Sequence, residues 1–175
     1  MPPTRLVTLA KPVWRKNFAA RTEREIALTR DLVARYGRAD VEHVVSGRGL
    51  VNIHRAVHGT PCAVGVDLED PHAPAAISAA ALEHRCAGCV ETLDLFVDAY
   101  GAESGNLALR SVSTGGFFIG GGIAPKILGA LDTGLFMRAF LAKPPLEEML
   151  QRMPVHVILH AEAGLLGAAV YAAGA

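Results

Sequence analysis

The 175-residue sequence predicts a helix-rich α/β fold, and three patterns carry that reading. Two short apolar runs, residues 117–120 and 155–160, are bounded by glycine or rich in β-branched residues, as buried strands are. Helical periodicity precedes, separates and follows them, an order that makes the two strands parallel neighbours joined by a helical crossover. Hydrophobic residues make up 51% and charged residues 19%, which excludes a disordered tail or a coiled coil. Aromatics are only 6% while glycine occurs 18 times, so packing relies on small and aliphatic side chains brought close together.

Each element has a local cause. Thr22-Glu-Arg-Glu25 is a capping box, in which hydroxyl and carboxylate satisfy orphan amides at a helix start. Ile26, Leu28, Leu32, Val33 and Tyr36 follow at helical spacing until Gly37 stops the helix. Asp40 caps a short second helix with Glu42, His43, Val44 and Val45, and Ser46-Gly-Arg-Gly49 turns the chain into a third, to about His58. Residues 59–74 hold three of the ten prolines and read as a surface loop. An Ala-rich helix runs to His84. A long helix then spans 86–112, with Val90, Leu93, Phe96, Val97 and Tyr100 on one face. Gly101 and Gly105 are expected to kink or thin it, since glycine costs about 1 kcal/mol in a helix interior. After the first strand come helices at 125–131, 133–141 and 146–151. After the second, a small-residue helix runs from Gly164 to Ala173.

Seventeen basic and 17 acidic residues balance, with a sequence pI near 7.1, which argues against a general nucleic-acid binder. The charge is uneven: residues 1–55 carry 11 Lys and Arg against 5 Asp and Glu, an excess of six. A solvated basic helix or a phosphate-bearing ligand nearby would each explain it. No apolar stretch reaches the ~18–20 residues of a membrane helix; the run at 163–175 is too short. The first ten residues have neither an apolar signal core nor a small-residue cleavage site, and three cysteines do not make a disulfide scaffold. A cytoplasmic protein is expected.

Few residues carry chemistry by pattern alone. Gly120, Gly121 and Gly122 sit between a strand and a helix start, where bare backbone serves either tight packing or a ligand. They match neither a Walker loop nor G-x-G-x-x-G. Glu42, just before a Ser-Gly-x-Gly turn, is placed either to accept hydroxyl hydrogen bonds or simply to be solvated. Cys86-Ala-Gly-Cys89 offers two sulfur ligands, but zinc needs four and no second cysteine pair exists. Cys62 and His84 are the only extra ligands the pattern suggests, and the expectation is no protein-only metal site. His54, His58, His156 and His160 lack the H-E-x-x-H arrangement.

Four segments together are specific. Residues 42–56, Glu-His-Val-Val-Ser-Gly-Arg-Gly-Leu-Val-Asn-Ile-His-Arg-Ala, resemble the V-L-S-G-x-G-L-x-N-x-Y-R-A segment of bacterial ATP-dependent glucokinases. Gly105-Asn-Leu-Ala-Leu109 is similar to the family's G-N-L-A-L helix. Residues 115–125, Gly-Gly-Phe-Phe-Ile-Gly-Gly-Gly-Ile-Ala-Pro, resemble its G-G-V-[FY]-[IL]-x-G-G-I-x-P segment. Ala163-Gly-Leu-Leu-Gly-Ala168 is similar to its P-G-L-L-G terminal helix. The matches fall in family order from about Phe18 to the C-terminus.

The resemblance implies the hexokinase/actin-like (ribonuclease H-like) fold, in which two α/β domains close over glucose and MgATP. Residues 18–175 would be an incomplete large domain and 1–17 a divergent N-terminal segment. Glu42 matches a glucose-binding glutamate; Gly120, Gly121 and Gly122 match the turn bordering the adenosine. The family's Asp-x-Gly-Gly-Thr loop, its Gly-Thr-Gly-Leu-Gly loop and its catalytic aspartate have no counterpart in these residues, so no catalytic residue is assigned. Where its Gly-Glu-Gly-Gly-His sugar motif should lie, ungapped counting places Pro12 and Arg15, and neither side chain accepts a hydrogen bond. The family activity is ATP:D-glucose 6-phosphotransfer, which this chain alone is expected not to sustain. A non-catalytic sugar-binding or partner-binding remnant, or a non-functional gene product, are the alternatives. Two parallel strands without the family's antiparallel neighbours would leave an open edge, unless residues 5–10 supply a strand, and would favour self-association or a missing N-terminal half.

Overall fold

A computed structural model describes residues 16–58 and 62–174 of the chain. Its centre is one long helix. Helices α1 (Glu23–Tyr36), α2 (Gly47–Val57) and α3 (Ala73–Leu82) precede α4 (Ala87–Ser111), and both α2 and α3 pack on α4. Strand β1 (Phe117–Ile119) follows, then a 3₁₀ turn (Ala124–Ile127) running into α5 (Leu128–Leu131). The remaining elements are α6 (Leu135–Leu141), α7 (Glu147–Gln151), β2 (Val155–Val157) and α8 (Ala163–Gly174). A second 3₁₀ turn, Val41–His43, lies between α1 and α2.

The capping box forms as the sequence predicts. Glu25 amide donates to Thr22 Oγ1 at 3.2 Å, and Glu25 Oε2 accepts from the Thr22 amide at 3.2 Å. Glu25 is wholly buried and its second oxygen accepts from Arg21 at 2.7 Å, so its charge is compensated. Gly37 ends α1 in the left-handed region, at φ 74°.

The core gathers Leu28 and Leu32 from α1, Ile53 from α2, Ile77 from α3, Phe96 and Val97 from α4 and Phe140 from α6. A kink or thinning is expected at Gly101 and Gly105; the helix is continuous through both. A Cβ at Gly101 would lie 2.2 Å from the Phe136 carbonyl oxygen, and one at Gly105 2.3 Å from that of Phe140. Both pairs are spaced by four, so the glycines form a groove into which the α6 backbone sinks. Glycine serves close approach here.

The strands are parallel, with Phe117 opposite Val155, Phe118 opposite His156 and Ile119 opposite Val157. They are shorter than the sequence suggests and only partly buried; Ile119 is inside, while Phe118 is 59% exposed and stacks on His156. With two strands in the sheet, each has one hydrogen-bonded neighbour among the described residues, so each leaves one edge without a strand partner among them. No residue of α8 is buried. The candidate strand at residues 5–10, and the positions of Pro12 and Arg15, lie outside the described residues. No described helix is long and apolar enough to cross a membrane.

Candidate functional site

Glu42 sits on the 3₁₀ turn and is exposed. The turn beneath it is fixed from three sides. Lys16–Phe18 runs along Ala39–Val41, with the Phe18 amide donating to the Ala39 carbonyl at 3.0 Å and the Val41 amide to that of Lys16 at 2.8 Å. The Tyr36 hydroxyl donates to Asn52 Oδ1 at 2.9 Å, and Asn52 Nδ2 donates to the His43 carbonyl at 2.9 Å. Tyr36 also stacks on the His43 ring at 4.4 Å. Finally, Ser46 Oγ donates to the Glu42 carbonyl at 2.6 Å and accepts from the Gly49 amide at 3.0 Å. Ser46 is therefore both the N-cap of α2 and the tether of Glu42. Gly49 is required by close approach, because a Cβ there would lie 1.9 Å from the Val44 carbonyl oxygen.

The three glycines of the β1 turn are all exposed, and Gly121 has φ 101°, a conformation that excludes most side chains. No other group occupies the space a Cβ would fill at Gly121 or Gly122. Of the three, Gly122 lines a cavity of about 350 Å³, together with Gly47 and Leu50 of α2, Pro74 and Ser78 of α3, and Lys126. Gly120 and Gly121 lie beside it in the chain but do not line it. The cavity is near the lower end of ligand-site volumes, with largely apolar walls, one hydroxyl (Ser78), one imidazole (His72) and one cation (Lys126). Sequence reasoning missed Ser78 and Lys126, which no motif marks. It also missed that the opening of α2 connects the two sites: Ser46 holds Glu42, and Gly47 walls the cavity.

Cys86 and Cys89, at the start of α4, have company. Cys62 Sγ lies 3.8 Å from Cys86 Sγ and 3.7 Å from Cys89 Sγ, and His58 Nε2 lies 3.3 Å from Cys86 Sγ. Of the two extra ligands the pattern suggested, Cys62 groups with Cys86 and Cys89, while His84 is in neither cluster; His58, from the end of α2, groups with His54 and Cys62 and reaches Cys86. Hydrogen bonding from His58 draws the Cys86 thiol down to about 6 against the opposing effect of burial. Burial pushes Cys89 up to about 12. The His58–Cys62 spacing was not recognisable as a ligand pair, because no cysteine-pair repeat accompanies it.

A helical layer around one central helix, a parallel strand pair and a glycine turn facing a helix N-terminus define part of a hexokinase/actin-like α/β domain of the sugar-kinase type. The family model for glucokinase matches residues 8–175, and the chain belongs to the glucokinase family. It is 38% identical to the glucokinase of Nostoc punctiforme over 90% of this chain and 51% of that one. It is 42% identical to the glucokinase of Chelativorans sp. over 89% of this chain and 44% of that one. A crystal structure of glucokinase from an Antarctic psychrotroph superposes with a TM-score of 0.76 at 28% identity, covering 95% of this chain and 51% of that one. The chain thus spans about half the length of the relatives it matches.

Proposed function

We propose that residues 18–175 supply the large-domain wall of a glucokinase site, acting in ATP:D-glucose 6-phosphotransfer in the cytoplasm. Glu42 accepts hydrogen bonds from glucose hydroxyls, and the turn Gly120, Gly121 and Gly122 borders the adenosine of MgATP. The observation that carries this reading is the single turn joining the two subsites: Ser46 grips the Glu42 carbonyl at 2.6 Å and caps α2, whose first residue walls the cavity with Gly122. A flat heterocycle suits the Leu50 and Pro74 walls, and Lys126 lies at hand for negative charge.

The cavity does not fit magnesium by itself. None of its lining residues is a carboxylate, whereas magnesium takes oxygen ligands. Phosphoryl transfer depends on positioning and on electrostatic stabilisation of the transferred group. The residues assigned here bind and orient the two substrates, and none is assigned to take the proton of the 6-hydroxyl. In-line transfer therefore needs a phosphate cradle and a base from a second wall, of the kind carried by the other half of the glucokinase length.

Isothermal titration with glucose tests the sugar side. The parent chain should bind, and Glu42→Gln should weaken binding about 10- to 100-fold, the worth of a hydrogen bond to a charged acceptor. Equal affinity in the two proteins would remove Glu42 from the site. A coupled assay of the 175-residue chain with glucose and MgATP should give no turnover that scales with protein. Clear turnover would show that one wall suffices.

A further inference from the structure

We propose that Cys62, Cys86, Cys89 and His58 form a structural zinc site that ties the loop ahead of α3 to the end of α2 and the start of α4. The sulfur geometry makes the case. With zinc–sulfur bonds of about 2.3 Å, the edges of a tetrahedron are about 3.8 Å long. The two Cys62 edges are 3.8 Å and 3.7 Å, and all three sulfurs lie within 4.8 Å of one another. A disulfide needs about 2.0 Å, far shorter than either Cys62 separation, and all three cysteines are free. With a zinc–nitrogen bond of about 2.0 Å, a nitrogen–sulfur edge is about 3.5 Å, close to the 3.3 Å between His58 Nε2 and Cys86 Sγ.

Two further features point the same way. The His58 ring is seated against Gly88, inside the Cys-x-x-Cys turn, so closely that a Cβ there would lie 2.2 Å from His58 Cδ2. Only glycine between the two cysteines lets the imidazole reach Cys86. Behind it, His54 is 3% exposed, and neither of its ring nitrogens has a hydrogen-bond partner among the described residues. A ring nitrogen of His54 lies within 4.8 Å of the ligand atoms of His58 and Cys62, so this polar group borders the cluster.

The ligand chemistry selects the metal. Thiolates and imidazole suit zinc, and hard cations such as magnesium or calcium prefer oxygen. The ligands fall as Cys-x₂-Cys and His-x₃-Cys, two short chelating turns. Three thiolates with the neutral His58 imidazole as fourth donor would complete a tetrahedron with no open position, the pattern of a structural site. Binding holds all three sulfurs as thiolates, releases the protons they still carry, and leaves a centre of formal charge −1. This site stands apart from the glucose and nucleotide reading, and its test does not involve either substrate.

Cobalt(II) titration of the reduced, metal-stripped chain should give the visible bands of a tetrahedral centre and a thiolate charge-transfer band in the near ultraviolet. Zinc should bleach both at about one equivalent. Cys62→Ser and His58→Ala should each weaken cobalt binding by at least about 10-fold, while His84→Asn should leave it unchanged. On the unaltered chain, zinc should protect all three cysteines from alkylation. Absence of the charge-transfer band, or equal alkylation rates with and without zinc, would overturn the proposal.

Discussion

Asn52 is 1% exposed, and its amide serves two elements at once. It accepts from the Tyr36 hydroxyl on α1 and donates to the His43 carbonyl on the turn that carries Glu42. Replacing it with leucine keeps the branched shape at a slightly larger volume but leaves both half-buried partners unmatched. Each unmatched group costs roughly 1–3 kcal/mol, so Asn52→Leu should lower unfolding free energy by about 3 kcal/mol in urea titration. Tyr36→Phe removes one donor and keeps the ring stack on His43, so its loss should be nearer 1 kcal/mol. A change under about 1 kcal/mol for Asn52→Leu would show that the turn is held without the Asn52 amide.

At the scale of elements, the contact of α4 with α6 sets two effects against each other. Gly105→Ala gains about 1 kcal/mol of helix propensity. The new Cβ, however, would sit 2.3 Å from the Phe140 carbonyl oxygen, a backbone atom that moves only with its helix. Overpacking of this kind costs roughly 1–3 kcal/mol and more against rigid neighbours, so the net change should be a loss of about 2 kcal/mol. Gly167→Ala on α8 meets nothing within 4 Å and should be neutral or stabilising by up to about 1 kcal/mol. Equal effects of the two substitutions in thermal unfolding would mean that the helices do not meet at glycine.

The same contact shows what the sequence could and could not disclose. Helix α1 was legible because its signals are local: Thr22 with Glu25 at one end, Gly37 at the other. So were the parallel strands, whose apolar runs are short and bounded. Gly101 and Gly105 read as weak points because their partner, the α6 backbone, lies some 35 residues away in sequence. Glu42 and the glycines of the β1 turn were singled out through motif resemblance. Lys126, Ser78 and His58 were not, since each gains meaning only when separate elements converge. Burial of the strands was overestimated because apolar composition does not say whether a second layer covers them.

For the whole molecule, the exposed apolar surface is the controlling feature. On α8, Leu165, Leu166, Val170 and Tyr171 are 58–80% exposed, and Phe118 stands out from β1 beside a strand edge unpaired among the described residues. Monomers seldom leave apolar side chains contiguous along one helix, and open strand edges invite pairing. Burying this surface against another copy stabilises by roughly 25 cal/mol per Å², so even a few hundred Å² competes with the cost of association. The 175-residue chain at micromolar concentration should therefore scatter light as a species heavier than 18.4 kDa. Leu166 and Val170 are four residues apart and share one helical face. Replacing both with glutamate places like charges on that face and should return the mass toward that of the monomer, with helical content unchanged. A parent chain that runs as a monomer and binds no hydrophobic dye would mean that α8 is covered within its own chain.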